Sequence, residues 1–80
     1  MKIPRDIDAI RLMKILKIYG YAITRQTGSH IRLTTNQKGE HHITIPNHNP
    51  IKIGTLSAIL SDVAKHLKKT KEEILQELFG

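Results

Sequence analysis

The segment Arg25-Gln26-Thr27-Gly28-Ser29-His30 gathers the residue types that phosphodiester chemistry uses. Imidazoles titrate near neutrality and can give or take a proton at physiological pH. Guanidinium groups grip phosphate oxygens through a fixed fork of donors. RNA carries its own nucleophile in the 2′-hydroxyl, so one histidine beside arginines is a sufficient minimum and requires no metal. A Gly-Ser pair between two alternating segments is a signal for a two-residue hairpin turn. That turn pairs Thr27 with His30, Arg25 with Arg32 and Ile23 with Thr34, and sets His30 at the first position of a strand. Histidines also stand beside turns for no catalytic reason, and position alone favours that plainer reading of His30.

The other polar candidates carry less. Two arginines paired across a hairpin repel each other mildly, which a fold tolerates more readily where a phosphate sits between them. His41 and His42 are neighbours in a strand and point to opposite faces, so they do not share an ion. With no cysteine in the chain and only Glu40 nearby as an acid, no metal site is expected, and no cofactor. His48, beside Pro46, could contact RNA or bond the backbone. The amides of a helix starting at Gly54-Thr55 could hold a phosphate, although such a pair is commonly just a cap. There is no Walker-type glycine loop, dinucleotide fingerprint or Ser/His/Asp arrangement. One Phe and two Tyr do not make the stacking platform of many single-strand binders.

Elements must position these groups, and the periodicity supplies them. Pro4 and Asp6 offer a helix start, after which Ala9, Leu12, Met13, Leu16 and Tyr19 recur at spacings of three and four. Gly20 ends this helix in left-handed geometry. From Tyr21 the period is two. Ile23, Arg25, Thr27, His30, Arg32 and Thr34 share one face, leaving Ala22, Thr24, Gln26, Ile31, Leu33 and Thr35 to meet the helices. A one-residue bulge would scramble that grouping. Residues 36–40 read as a loop. A third strand over His41 to Ile45, stopped by Pro46, turns Ile43 and Ile45 inward and His42 and Thr44 outward. After an exposed link at residues 47–50, a second helix opens with Thr55 as its cap and buries Leu56, Ile59, Leu60, Val63 and Leu67. Thr70-Lys71-Glu72-Glu73 fits a capping box for a short third helix carrying Ile74, Leu75, Leu78 and Phe79. The expected fold is α+β: a three-stranded antiparallel sheet with helices on one face, as a single domain over residues 1–80.

Eighty residues bury only about 60% of the surface of the unfolded chain, so the core is thin. The net charge of +6 is unevenly spread. Residues 1–54 hold nine Lys or Arg against three acids, whereas residues 55–80 hold four of each sign. The excess surrounds the Gly-Ser-His turn and suits a polyanion. The opening Met-Lys-Ile-Pro-Arg lacks an apolar signal region and no apolar run reaches membrane-span length, so a cytosolic location is expected.

Several stretches together carry a closer likeness. Leu16 through Gly20-Tyr21, Arg25-Gln26-Thr27-Gly28-Ser29-His30, Thr44-Ile45-Pro46-Asn47-His48, and Gly54-Thr55-Leu56 with Ile59-Leu60 stand in the order and spacing of one family. The sequence resembles the HicA (YcfA-like) toxins of toxin–antitoxin systems over nearly its whole length. The resemblance implies a double-stranded-RNA-binding-domain-like fold and a ribosome-independent mRNA interferase whose catalytic histidine is His30. It also implies a HicB-like antitoxin that covers the active surface, the toxin being monomeric when free and hetero-oligomeric with the antitoxin. RNA contacts are expected from Arg25, Ser29, Arg32, His48 and Lys38. Many relatives end soon after the second helix, so Thr70–Gly80 is an addition. The rival readings are a non-catalytic RNA-binding module of the same fold and an interaction protein whose basic face docks an acidic partner.

Overall fold

The computed structural model describes residues 3–80. Helix α1 spans Ala9–Leu16 and continues as a single 3-10 turn over Lys17–Tyr19. Strands β1 (Ala22–Thr27), β2 (His30–Thr35) and β3 (His41–Pro46) follow, then helices α2 (Ile53–Leu67) and α3 (Lys71–Phe79). The strands form one antiparallel sheet in the order β1-β2-β3. This is the expected α+β order, and it is consistent with a double-stranded-RNA-binding-domain-like arrangement.

One face of the sheet is closed by helices. Ile31 and Leu33 of β2 and Ile43 and Ile45 of β3 are buried in one cluster with Leu12 and Leu16 of α1 and Leu56, Leu60 and Val63 of α2. These are the stripes that the three- and four-residue spacing picks out, and Ile74 and Leu75 of α3 join the same core. Among the described residues, no helix covers the opposite face. The thin dimension of the molecule, 17 Å, fits one sheet and one helical layer.

Local signals set most boundaries. Gly20, at φ 80°, terminates the first helical segment in left-handed backbone, and a Cβ there would meet Thr35 Oγ1 at 2.9 Å. Thr35 is buried and donates from Oγ1 to the Tyr19 carbonyl at 2.6 Å, tying the helix exit to the end of β2. The Thr70–Glu73 capping box is present with both of its bonds.

Two helix starts differ from expectation. Helix α1 is capped by Asp8, whose carboxylate accepts from the Arg11 amide at 2.7 Å, and not by a start at Pro4 or Asp6. Asp6 takes a positive φ of 61° that turns the chain so that Ile7 is buried. Helix α2 begins at Ile53, with Lys52 in the cap position and no side-chain cap bond, so Thr55 is not its N-cap. Burial of Ile51 and its amide bond to the Ile7 carbonyl at 2.8 Å anchor the chain just ahead of that point. Helical backbone then follows at once, and tertiary anchoring outweighs the local preference for a threonine cap.

The larger correction concerns β1. The pairing slips between Ile23 and Arg25, so Ile23 lies opposite Leu33 and Ala22 opposite Thr34, in place of Ile23 opposite Thr34. This bulge turns Thr24 to the open face, where its hydroxyl bonds that of Thr34 at 2.8 Å. Ile23 turns instead toward α1, beside Ile10, Met13 and Leu33. The whole of β1 is exposed, including Ala22 and Gln26, and Ala22 and Ile23 line an open pocket with Ile10, Met13, Lys14 and Lys17 of the first helical segment.

Candidate nucleic-acid interface on the open sheet face

The open face is built in three rows across the strands. At the hairpin end, His30 stands opposite Thr27 on one side and Pro46 on the other. In the middle row Arg32 stands between Arg25 and Thr44. In the third, Thr34 lies beside Thr24 and opposite His42. Successive rows are two residues apart along β2, or about 7 Å.

The turn that sets the first row has positive φ at Gly28, 54°, and not at Ser29, as type II′ turns do. Its glycine matches the right-handed twist of the strands and delivers His30 directly into the ladder. The Ser29 carbonyl accepts from the Asn47 amide at 2.6 Å, pinning the turn to the chain that leaves β3. That bond brings the exposed loop of Asn47 and His48 into the same corner as His30.

The bulge falls ahead of Arg25, so the Arg25–Arg32 pairing and the Thr27–His30 pairing are both as expected. The two guanidinium groups line one shallow concavity with Thr24, Thr34, Asn36, Glu40 and His42. Among the described residues, neither arginine forms an ion pair and His30 has no side-chain hydrogen bond. The row of cations is therefore uncompensated and open to solvent, in register with a bare imidazole.

Lys38 is not part of this arrangement. It sits at the opposite end of the sheet, where a left-handed φ of 55° swings it over α2 and its Nζ donates to the Leu67 carbonyl at 3.0 Å. A cation there complements the negative end of the helix dipole. Ser29 takes part through its backbone carbonyl, as above.

The two adjacent histidines diverge, as their alternation requires. His41 lies on the helix side, where Nδ1 accepts from the Tyr21 hydroxyl at 2.7 Å and Nε2 donates to Asp62 at 3.2 Å. Its ring stacks on that of His66 at 4.3 Å between centroids. Burial, followed by the Asp62 charge, pushes the Tyr21 phenol up to about 12. His42 faces outward and is held between Thr34 Oγ1 at 2.7 Å and Glu40 Oε2 at 2.8 Å. Sequence reasoning missed this polar chain. The spacing of Glu40 and His42 hints at a shared face, but Thr24 reaches that face only through the bulge.

Among the described residues no helix is long and apolar enough to cross a membrane. No curated protein and no solved structure matches the chain. The family described as the HicA toxin of bacterial toxin–antitoxin matches residues 11–70, leaving α3 outside the match. That span is 60 of the 80 residues and includes the turn, all three strands and α2. The chain belongs to the HicA toxin family.

Proposed function

We propose that this protein is an endoribonuclease toxin that cleaves mRNA without the ribosome, with His30 as its general acid or base. The observation that carries the reading is the bare imidazole of His30 one row from the paired Arg25 and Arg32. In the reaction, His30 removes the proton of a 2′-hydroxyl. The freed oxygen attacks the adjacent phosphorus, and the 5′-oxygen leaves with a proton drawn from water or from His48. The products are a 2′,3′-cyclic phosphate and a 5′-hydroxyl end. Arg25 and Arg32 hold the phosphate and meet the negative charge that grows on it in the transition state.

A toxin of this kind is kept in the cytosol with an antitoxin, here a HicB-like protein that covers the sheet face. The reaction as written uses no metal, so excess chelator should leave the rate unchanged. Purified wild type and His30→Ala, matched for folding by circular dichroism, are incubated with RNA and the ends analysed. Cleavage by the wild type alone, with cyclic phosphate ends, is the expected result. Equal cleavage by both proteins removes His30 from the mechanism. Binding without cleavage by the wild type would instead make the chain an RNA-binding module.

A further inference from the structure

The third row of the open face has a polarity that its hydrogen bonds fix. A carboxylate can only accept, so His42 Nε2–H donates to Glu40 Oε2 at 2.8 Å. With its ring neutral, His42 accepts at Nδ1 from the Thr34 hydroxyl at 2.7 Å, and Thr34 in turn accepts from the Thr24 hydroxyl at 2.8 Å. Every proton of this chain, which crosses all three strands, points toward Glu40. What it offers outward are acceptors: the second oxygen of Glu40 at one end and the Thr24 oxygen at the other.

Glu40 could have neutralised the arginines that share its concavity. Among the described residues it bonds His42 instead and leaves both guanidinium groups open. The face thus keeps a cationic row and an acceptor row side by side, about 7 Å apart. That pitch is close to one nucleotide of an extended single strand. A phosphate on the arginines would bring the neighbouring base over Thr34 and His42, against the free oxygen of Glu40.

We propose that Thr24, Thr34, His42 and Glu40 form a nucleobase subsite that prefers bases bearing an exocyclic amino group over uracil. The proposal rests on the RNA reading above. Adenine, cytosine and guanine each present an amino donor, whereas uracil, seated as cytosine would be, sets its O4 carbonyl oxygen against the carboxylate where cytosine offers the amino group. The carboxylate bears the discrimination, and His42 holds it in place.

The test compares octamers of cytidine and uridine, whose bases differ only along this edge. They are bound at pH 8 to the His30→Ala protein, so that the RNA persists. Cytidine octamer should bind about tenfold more tightly, the scale of one well-formed base contact. Adding Glu40→Gln should bring the ratio within about twofold, because an amide both donates and accepts. Glu40 is 67% exposed, so the change leaves the fold intact, which thermal unfolding verifies. Thr34→Val, which cuts the chain that orients His42, should lower the ratio as well. Equal binding of the two octamers, or a preference that survives Glu40→Gln, overturns the subsite. If the wild type still cleaves RNA in either case, the proposed function stands without it. Failure of both octamers to bind also overturns the subsite, and the proposed function then stands or falls on cleavage of RNA by the wild type.

Discussion

The two ends of the sheet hold similar polar side chains and use them in opposite ways. At the hairpin end, His30, Arg25 and Arg32 are exposed and have no side-chain partner among the described residues. At the loop end almost every polar group is tied. His66 Nε2 donates to the carbonyls of Gln37 and Gly39, His41 joins Tyr21 to Asp62, Lys38 caps α2, and Thr35 holds the Tyr19 carbonyl. A histidine whose two nitrogens are committed is part of the scaffold. One fixed by its backbone and bare at its ring is available for chemistry, and on the proposed function the state of the ring separates the two roles.

Exchanging the same substitution between the ends gives the largest contrast. His30→Ala should lower kcat/KM for RNA by about 10²–10⁴, the usual contribution of a general acid or base. Its melting temperature should stay close to that of the wild type, because no side-chain bond is lost. His41→Ala should do the reverse. It leaves the buried Tyr21 hydroxyl without its partner, at a cost of about 1–3 kcal/mol. For a domain of this size each kcal/mol lowers the melting temperature by about 4–8 °C. Cleavage at a temperature where both proteins are folded should be unchanged. Loss of cleavage in His41→Ala, with the fold retained, would erase the distinction between the ends.

The arginine row tests the same contrast with a smaller effect. Each of Arg25→Ala and Arg32→Ala should weaken binding of every RNA sequence to a similar degree. Each should also reduce the slope of log affinity against log salt by about one, as expected for a lost phosphate contact. Relief of the cross-strand repulsion should leave stability equal or a few tenths of a kcal/mol higher. A variant that binds RNA normally but melts lower would mean that the arginine supports the sheet.

Much of this was legible in the sequence wherever the determining interactions are local. The Gly28-Ser29 turn fixes the pairing of its nearest residues, so His30 and the Arg25–Arg32 pair stand where the turn rule puts them. The helical stripes and the Thr70 capping box are likewise set within a few residues. What depends on distant packing is not written locally. The bulge before Arg25 reflects how β1 meets its neighbours and α1, and nothing near Thr24 marks it. Lys38 looked like one more cation in a basic region, but a left-handed loop carries it to α2. The start of α2 follows from burial of Ile51, not from the better capping residue at Thr55.

Acid offers the finest test of the tied end, because two carboxylates hold α3 there. Helix α3 is held to the end of the first helical segment by Glu77, which accepts from the Tyr19 hydroxyl and pairs with Lys69 Nζ at 2.7 Å. The Lys69 bond, and then the Tyr19 bond, hold the Glu77 carboxyl below its ordinary value. The backbone and side-chain bonds of Thr70 do the same for Glu73. Burial and the Glu77 partner push the Tyr19 phenol upward, so at neutral pH it keeps its proton and donates. Because both carboxyls are lowered in the folded state, the stability they add is complete above their unfolded range, about pH 4.3, and drains as pH falls through the folded values. Hydrogen exchange should therefore show α3 amides losing protection between about pH 5 and pH 3, ahead of those of β2 and β3. Glu77→Gln should flatten that dependence while costing little at pH 7, since exposed ion pairs contribute modestly. Simultaneous loss of protection in α3 and the strands would mean that the added helix is locked into the core by Ile74 and Leu75 alone.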